Sequence, residues 1–153
     1  MSKTKRSPAG DALTGLILDL FRANGLLLTA GDRLVASLGL TSARWQILGA
    51  IVDAERPEPV AWLARNLGAN RQNVQRIVND LERDGLVVFE TNPHHRRAQL
   101  VVLTDKGRQI YDAAGRLQVP WVNGLSDGLS VKEIETAHRV IGALRDRLEA
   151  GEG

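Results

Sequence analysis

The sequence contains no cysteine in its 153 residues. This absence excludes disulfide scaffolds, cysteine-ligated zinc, thiol nucleophiles and thiol-based redox sensors. A strong excess of one charge is also lacking, since 20 lysines and arginines face 18 aspartates and glutamates for a net charge of +2. The basic residues are mostly arginine, which suits bidentate recognition of phosphate and guanine, so their placement is more informative than the total.

Long uninterrupted hydrophobic runs are missing as well. The apolar stretch near the N-terminus is broken by Asp19, Arg22 and Asp32, charges that a membrane span would not accommodate cheaply. We therefore expect a cytoplasmic protein with no targeting segment and no membrane contact. With 43% hydrophobic and 25% charged residues, the chain has the composition of one globular domain, expected at residues 11–153 behind a flexible basic N-terminus at 1–10.

Both ends of the expected domain have the pattern of amphipathic helices. Apolar residues recur every three or four positions from Leu13 to Leu38, which predicts one long helix that ends at Gly39. A helix of about 25 residues extends about 40 Å, more than a small domain needs to cover its own core. Ser130 and Glu133 form a capping box for a last helix with a similar apolar stripe. We expect part of these helices to pack against another subunit.

The centre of the sequence has the spacing of a helix-turn-helix. After a helix capped by Thr41 or Ser42, residues 59–84 indicate a short helix, a turn at Gly68 and a second helix that Asn70 opens and Gly85 closes. The buried stripe of that second helix is expected to consist of Val74, Ile77, Val78 and Leu81.

A β-hairpin is predicted directly after the helix-turn-helix. Its strands are Leu86–Phe89 and Leu100–Leu103, and the basic tip lies between them at residues 91–99. Thr104 then begins a fifth helix, which Pro120 should kink because proline lacks the backbone donor.

The predicted fold class is therefore mainly α with a small β-hairpin. It is a winged helix-turn-helix at about residues 42–104, flanked by dimerisation helices at about 11–38 and 105–149.

The second helix of the helix-turn-helix presents a polar outer face without an acid until Asp80. Arginine can bind guanine, and asparagine or glutamine can bind adenine, each through two hydrogen bonds in the major groove. A solvated helix would normally mix glutamate and lysine on such a face, so we interpret it as a DNA-reading surface rather than a solvated one. Together with the cationic wing tip, the predicted DNA-binding residues are Asn70, Arg71, Gln72, Asn73, Gln75, Arg76, Asn79, Arg96 and Arg97.

The paired histidines of the wing, His94 and His95, are of a type that can bind a metal or sense pH. Adjacent residues on an extended loop point apart, however, and no aspartate, glutamate or cysteine stands close by in sequence to complete a metal site. The third histidine, His138, is on the last helix. No nucleophile-base pair or phosphate loop is readable, so we expect no catalytic site, no metal and no cofactor.

Three segments together resemble the MarR family of bacterial winged-helix transcriptional regulators. They are LGLTSARWQILGAI, PVAWLARNLGANRQNVQRIVNDLERDGLV and NPHHRRAQLVVLTDKGRQI, and the resemblance extends from about Leu13 to Leu148. It implies an obligate homodimer that binds a palindromic operator in double-stranded DNA and often releases it when a small aromatic or phenolic effector binds. Arg97 matches the wing arginine that reaches the minor groove, but His95 stands where the family usually has an acid to hold that arginine.

The resemblance also implies an effector pocket between the dimerisation helices and the DNA-binding lobe. Plain core packing is the alternative for each candidate. The candidates are Asn24, Leu28, Trp45, Leu48 and Tyr111.

The function predicted from the sequence is that of a sequence-specific transcriptional regulator, a homodimeric repressor released from a palindromic operator by a small molecule. The alternative is a winged-helix protein-interaction module without an operator of its own. The polar face from Arg71 to Asn79 disfavours that alternative, because a protein-binding groove would prefer exposed apolar anchors.

Overall fold

The computed structural model of the protein describes residues 4–151. The mainly helical fold class with a small antiparallel sheet is confirmed. The elements in chain order are α1 (Pro8–Val35), a 3-10 turn (Ala36–Leu38), α2 (Ser42–Asp53), β1 (Glu58–Pro59), α3 (Val60–Leu67), α4 (Arg71–Arg83), β2 (Val87–Glu90), β3 (Leu100–Leu103), α5 (Asp105–Leu125) and α6 (Val131–Gly151).

The first helix begins earlier than the sequence boundary at residue 11. The Ser7 hydroxyl accepts a hydrogen bond from the Gly10 backbone N–H at 3.0 Å, and Pro8 occupies the first turn, where its missing N–H costs nothing. The helix therefore includes residues 8–10 of the N-terminus that was expected to be flexible. Residues 1–3 of that segment lie outside the described residues.

The joint between α1 and α2 is fixed by Ser42. Its backbone N–H donates to a carboxylate oxygen of Asp32 at 2.7 Å, and its hydroxyl donates to the Leu28 carbonyl at 2.7 Å. Thr41 caps α2 by accepting from the Arg44 N–H. The start of α2 is thus tied to the last two turns of α1.

The core of the helix-turn-helix lies where α2, α3 and α4 pack together. The stripe predicted for α4 is buried at Val74, Val78 and Leu81, whereas Ile77 is half-buried at its edge. Between α3 and α4, Gly68 has a φ of 62°, a left-handed conformation that glycine adopts without the steric cost of a Cβ atom.

The sheet has one strand that the sequence analysis missed. The strand order is β1-β3-β2, with Glu58 opposite Val101 and Val88 opposite Val102 in antiparallel register. β1 contains only two residues, one of them a proline that cannot donate to a ladder, so no alternating pattern marks it in the sequence. Its edge position is where such a residue is tolerated.

The wing is joined to α5 by close backbone contacts behind the turn that follows α4. The Thr104 hydroxyl donates to the Gly85 carbonyl at 2.6 Å, and the Thr104 N–H donates to the Leu86 carbonyl at 3.0 Å. A Cβ atom at Gly107 would overlap that Leu86 carbonyl and lie 2.8 Å from Leu103 Cδ1. Glycine is therefore required at position 107 for the backbones to meet.

α5 continues through Pro120 to Leu125, so this proline lies inside the helix and does not end it. The chain forms two compact units, the first ending at Leu117 and the second beginning at Gln118. The single domain predicted over residues 11–153 stays a prediction. In the second unit, the Glu133 N–H donates to the Ser130 hydroxyl at 3.1 Å, one half of the expected capping box.

Large apolar side chains are exposed on α1. By length and composition alone, the segment Pro8–Leu38 is long and apolar enough to cross a membrane. It is the one such helix within residues 4–151, and core helices of soluble proteins pass the same test. The side chain of Phe21 is 72% exposed and that of Leu26 is 73% exposed. The first unit, to which α1 belongs, leaves this apolar surface uncovered.

Replacing Gly107 with alanine is expected to lower the free energy of unfolding by about 1–3 kcal/mol, because the added Cβ must displace the Leu86 backbone. Gly115→Ala on the same helix is the matched control, since a Cβ there meets nothing within 4 Å and alanine favours the helix by up to ~1 kcal/mol. Urea denaturation at one protein concentration measures both. Equal stability of the two variants would contradict the close contact at Gly107.

Candidate nucleic-acid interface

The outer face of α4 is polar, exposed and well fixed to the core. Asn70 caps the helix by accepting hydrogen bonds from the backbone N–H groups of Gln72 at 2.9 Å and Asn73 at 3.2 Å. Because Val74, Val78 and Leu81 are buried, the rotation of α4 about its axis is set. The side chains that this rotation exposes are Arg71, Gln72, Asn73, Gln75, Arg76 and Asn79.

Two of these exposed amides are paired with each other. The Gln75 Nε2 donates to the Asn79 Oδ1 at 2.9 Å, one helical turn away. Such a pair restricts the rotamers of both side chains before any ligand arrives, which reduces the ordering cost of binding. The donors and acceptors that remain free on this pair can face base edges.

Arg44 ties the far end of α4 to the beginning of α2. Its guanidinium lies 3.5 Å from a carboxylate oxygen of Asp80 and 3.5 Å from one of Asp84, and it also donates to the Gly39 carbonyl at 3.3 Å. Arg83 pairs with the other oxygen of Asp80. Asp80 and Asp84 are therefore engaged by arginines, and the sequence analysis did not identify Arg44 in this role.

The wing loop is shaped by its own backbone and by Asn92. The buried Asn92 side chain accepts from the His94 N–H at 3.0 Å, and the Ala98 N–H donates to the His95 carbonyl at 3.1 Å, which closes a turn. Arg96 and Arg97 are the two central residues of that turn, and both are exposed. His94 and His95 are also exposed, and residues 4–151 contain no group of three or more histidines and carboxylates that could hold a metal ion.

The structure brings Arg97 next to α4. A cleft of about 80 Å³ between the wing and the helix-turn-helix is lined by Arg97, Arg71 and Gln75 together with Gln99 and the first residues of α3. Arg96 lies outside this cleft. The sequence analysis missed Gln99 and the start of α3, because only the fold places them near α4.

The residues proposed for an effector pocket fall into two environments. Trp45 and Tyr111 are half-buried against the core, and Leu48 lies within it at 0% exposure. Asn24 is exposed on α1, and Leu28 is 37% exposed one turn further along that helix. A ligand could reach Leu48 only if the core rearranged, so packing accounts for Leu48 in this structure.

A helix-turn-helix with an acid-poor polar outer face, followed by an arginine-bearing wing, defines a winged-helix DNA-binding protein. A sequence model of the MarR family matches residues 38–98, and the chain belongs to that family. The family consists of transcription regulators and not of enzymes, so this protein is a DNA-binding transcriptional regulator.

Two curated relatives are similar to this chain in sequence. The Mycobacterium tuberculosis protein Rv2011c is 37% identical over 139 residues, which covers 88% of this chain and 96% of that protein. The transcriptional activatory protein BadR of Rhodopseudomonas palustris is 32% identical over 109 residues, covering 68% of this chain and 61% of BadR.

Two solved structures with the same fold contain DNA. MosR of M. tuberculosis, in complex with DNA, has a TM-score of 0.75 at 25% identity and covers 88% of this chain and 96% of its own. The transcriptional repressor CouR, bound to a 23-mer DNA duplex, has a TM-score of 0.77 at 25% identity and covers 92% of this chain and 99% of its own.

Removing the cap of α4 tests how the reading face is held. Asn70→Ala is expected to lower the free energy of unfolding by about 1 kcal/mol, because two backbone N–H groups lose their acceptor. Asn70→Ser keeps an acceptor and should stay within a few tenths of a kcal/mol of the wild type. Thermal and urea unfolding measure both, and an alanine variant as stable as the serine variant would show that the cap contributes nothing.

Proposed function

We propose that the protein is a homodimeric repressor that binds a palindromic operator and is released from it by a small aromatic or phenolic effector. The observation that carries the DNA-reading part is the outer face of α4, where amides and arginines stand exposed while the opposite stripe is buried. Arginine, asparagine and glutamine are the side chains that read base edges in the major groove. The residues proposed to contact DNA are those of the sequence analysis, on α4 and at Arg96 and Arg97.

The DNA-bound structures of MosR and CouR support double-stranded DNA as the partner, since both have this fold over nearly the whole chain. The proposed sign of regulation follows the family resemblance and the repressor CouR, whereas BadR is an activatory protein. A reporter gene placed behind the selected DNA fragment distinguishes repression from activation. The proposed location is the cytoplasm, where the DNA of a bacterial cell lies.

A second copy of this chain is the proposed partner of the exposed apolar surfaces on the terminal helices. On α1, Phe21 and Leu26 are largely exposed. On α6, an open groove is lined by Ile141, Leu144 and Leu148 together with Arg145 and Glu149. Apolar surface of this extent on a soluble regulator indicates an interface. Two-fold symmetry would also place two copies of α4 on two half-sites one DNA turn apart.

The residues proposed for the effector site are those of the sequence analysis, Asn24, Leu28, Trp45, Leu48 and Tyr111, of which the buried Leu48 would be reached only if the core rearranged. Aromatic side chains that are half-buried offer stacking surface together with a polar edge, which suits a phenolic ligand. Ser42 hydrogen-bonds the Leu28 carbonyl, so a ligand that displaced this part of α1 would act on the start of α2.

The decisive experiment is selection of bound fragments from sheared DNA of the source genome. We expect enrichment of an imperfect palindrome with half-sites about one helical turn apart. On the selected fragment, Gln75→Ala should relax the preference at one or two base pairs by about ten- to a hundredfold, because a bidentate contact discriminates by roughly 1–3 kcal/mol.

Gln46→Ala is the control for that variant, since Gln46 is an exposed glutamine on α2, away from the reading face. It should leave both affinity and base preference unchanged. Unaltered preference in Gln75→Ala would show that this face does not read bases. Failure of the wild type to enrich any sequence would favour the protein-interaction module.

Charged substitutions in the groove of α6 test the dimer. Ile141→Glu and Leu148→Glu should convert a dimer into monomers, because each replaces an apolar side chain of the proposed interface with a carboxylate that is costly to bury. Ala143→Glu carries the same charge on the opposite side of α6 and should leave the dimer intact. Analytical ultracentrifugation reads the mass, and dimers that persist in both groove variants would place the interface elsewhere.

A further inference from the structure

The polar side chains that line the cleft between the wing and the helix-turn-helix are cations and amides. The cleft has a volume of about 80 Å³, and these side chains are Arg71 and Gln75 on α4 and Arg97 and Gln99 on the wing side. The rest of the lining is apolar and consists of Pro59, Val60, Ala61, Phe89 and Ala98. Among the described residues, no carboxylate lines the cleft. A surface of this composition is suited to an anion.

The two arginines of the cleft lack internal counter-charges. Within residues 4–151, neither Arg71 nor Arg97 forms an ion pair, whereas Arg44 and Arg83 are both engaged by Asp80. Two acids adjoin the lining in sequence, Glu58 before Pro59 and Glu90 after Phe89, and neither is part of the lining. Glu58 lies 3.4 Å from the Arg56 Nε. An anion bound between Arg71 and Arg97 would therefore meet no carboxylate among the described residues that line the cleft.

Arg71 also occupies a position that folding alone disfavours. It is the first residue of α4, and the first turn of that helix contains no acid. A cation at a helix N-terminus opposes the positive end of the helix dipole, which normally selects aspartate or glutamate there. A residue that departs from such a local preference, and forms no stabilising contact in return, indicates a functional role.

The position of the cleft indicates which anion it receives. If α4 reads the major groove and the wing follows the adjacent minor groove, the sugar-phosphate strand that separates the two grooves passes between them. That is where the cleft lies. We propose that Arg71 and Arg97 jointly bind one phosphate of this strand, the guanidinium N–H groups donating to its non-bridging oxygens, an inference that rests on the proposed function. Arg97 is then a backbone clamp shared with α4, and this contact fixes the register of the wing relative to the reading helix.

Neutral phosphates in the selected operator test the clamp. Methylphosphonate is placed at one backbone position at a time, and binding of the full-length protein is measured at each position. At one position per half-site, the methylphosphonate should weaken wild-type binding by about tenfold, which is the loss expected for a charge-assisted hydrogen bond. In Arg71→Gln and in Arg97→Gln, binding should be weaker from the start, and neutralising that same phosphate should have little further effect.

Arg96→Gln is the matched control, because Arg96 is the neighbouring wing arginine outside the cleft. In this variant, methylphosphonate at the phosphate bound by Arg71 and Arg97 should still weaken binding by about tenfold. Thermal unfolding of the free protein shows that the variants fold, and Arg71→Gln should be at least as stable as the wild type because it removes a cation from a helix N-terminus.

The outcomes separate this inference from the proposed function. The shared clamp is overturned if Arg71→Gln and Arg97→Gln abolish the effect of methylphosphonate at different phosphates. It is also overturned if either variant is still weakened by methylphosphonate at every position that weakens the wild type. Sequence-specific binding stands in both cases. If the wild type binds no DNA, both the proposed function and the clamp are overturned.

Discussion

The burial of Val74, Val78 and Leu81 is the constraint on which the DNA-binding half of the molecule depends. These side chains leave α4 one rotation about its axis, and a rotation by one residue would bring a polar side chain into the core. Everything that faces outward follows from this choice. The Asn70 cap and the Gln75–Asn79 hydrogen bond then refine a surface whose direction hydrophobic packing has already set. The exposed polar side chains and the side chains that hold the fold thus lie on opposite sides of one helix.

The wing depends on a second constraint, the close approach of backbones at Leu86 and Gly107. Thr104 hydrogen-bonds the carbonyls of Gly85 and Leu86, so that β3 and the beginning of α5 are anchored to the turn that ends α4. The wing is therefore held by these hydrogen bonds as well as by the pairing of its two strands. At the other end of the lobe, Arg44 binds Asp80 and Asp84, which links the start of α2 to the last turn of α4. A displacement of α1 has a physical route through Ser42 and Arg44 to the reading helix.

Charge in this protein is informative through its distribution and not through its sum. The net charge of +2 gives no hint of a polyanionic partner. The acids of α4 are gathered at its C-terminal end, where arginines engage Asp80 and Asp84, while the polar side chains of its first two turns are all cations and amides. Such a separation leaves positive potential where the helix and the wing meet, and electrostatic attraction there is the sequence-independent part of DNA affinity.

The sequence by itself determined the features that depend on neighbours along the chain. The three-and-four spacing of apolar residues fixed α4 and its buried side, Asn70 and Gly68 set its start and the turn before it, and the motif order pointed to the family. Only the tertiary structure decided what depends on residues far apart in the chain. The two-residue strand β1 exists because Glu58 and Pro59 pair with β3, about 40 positions later in the chain. No local sequence pattern predicts this strand. Likewise, Arg71 and Arg97 lie in one cleft because the hairpin folds back beside α4. Periodicity records which side of an element is buried, but the meeting of two elements depends on how their buried sides pack around a common core.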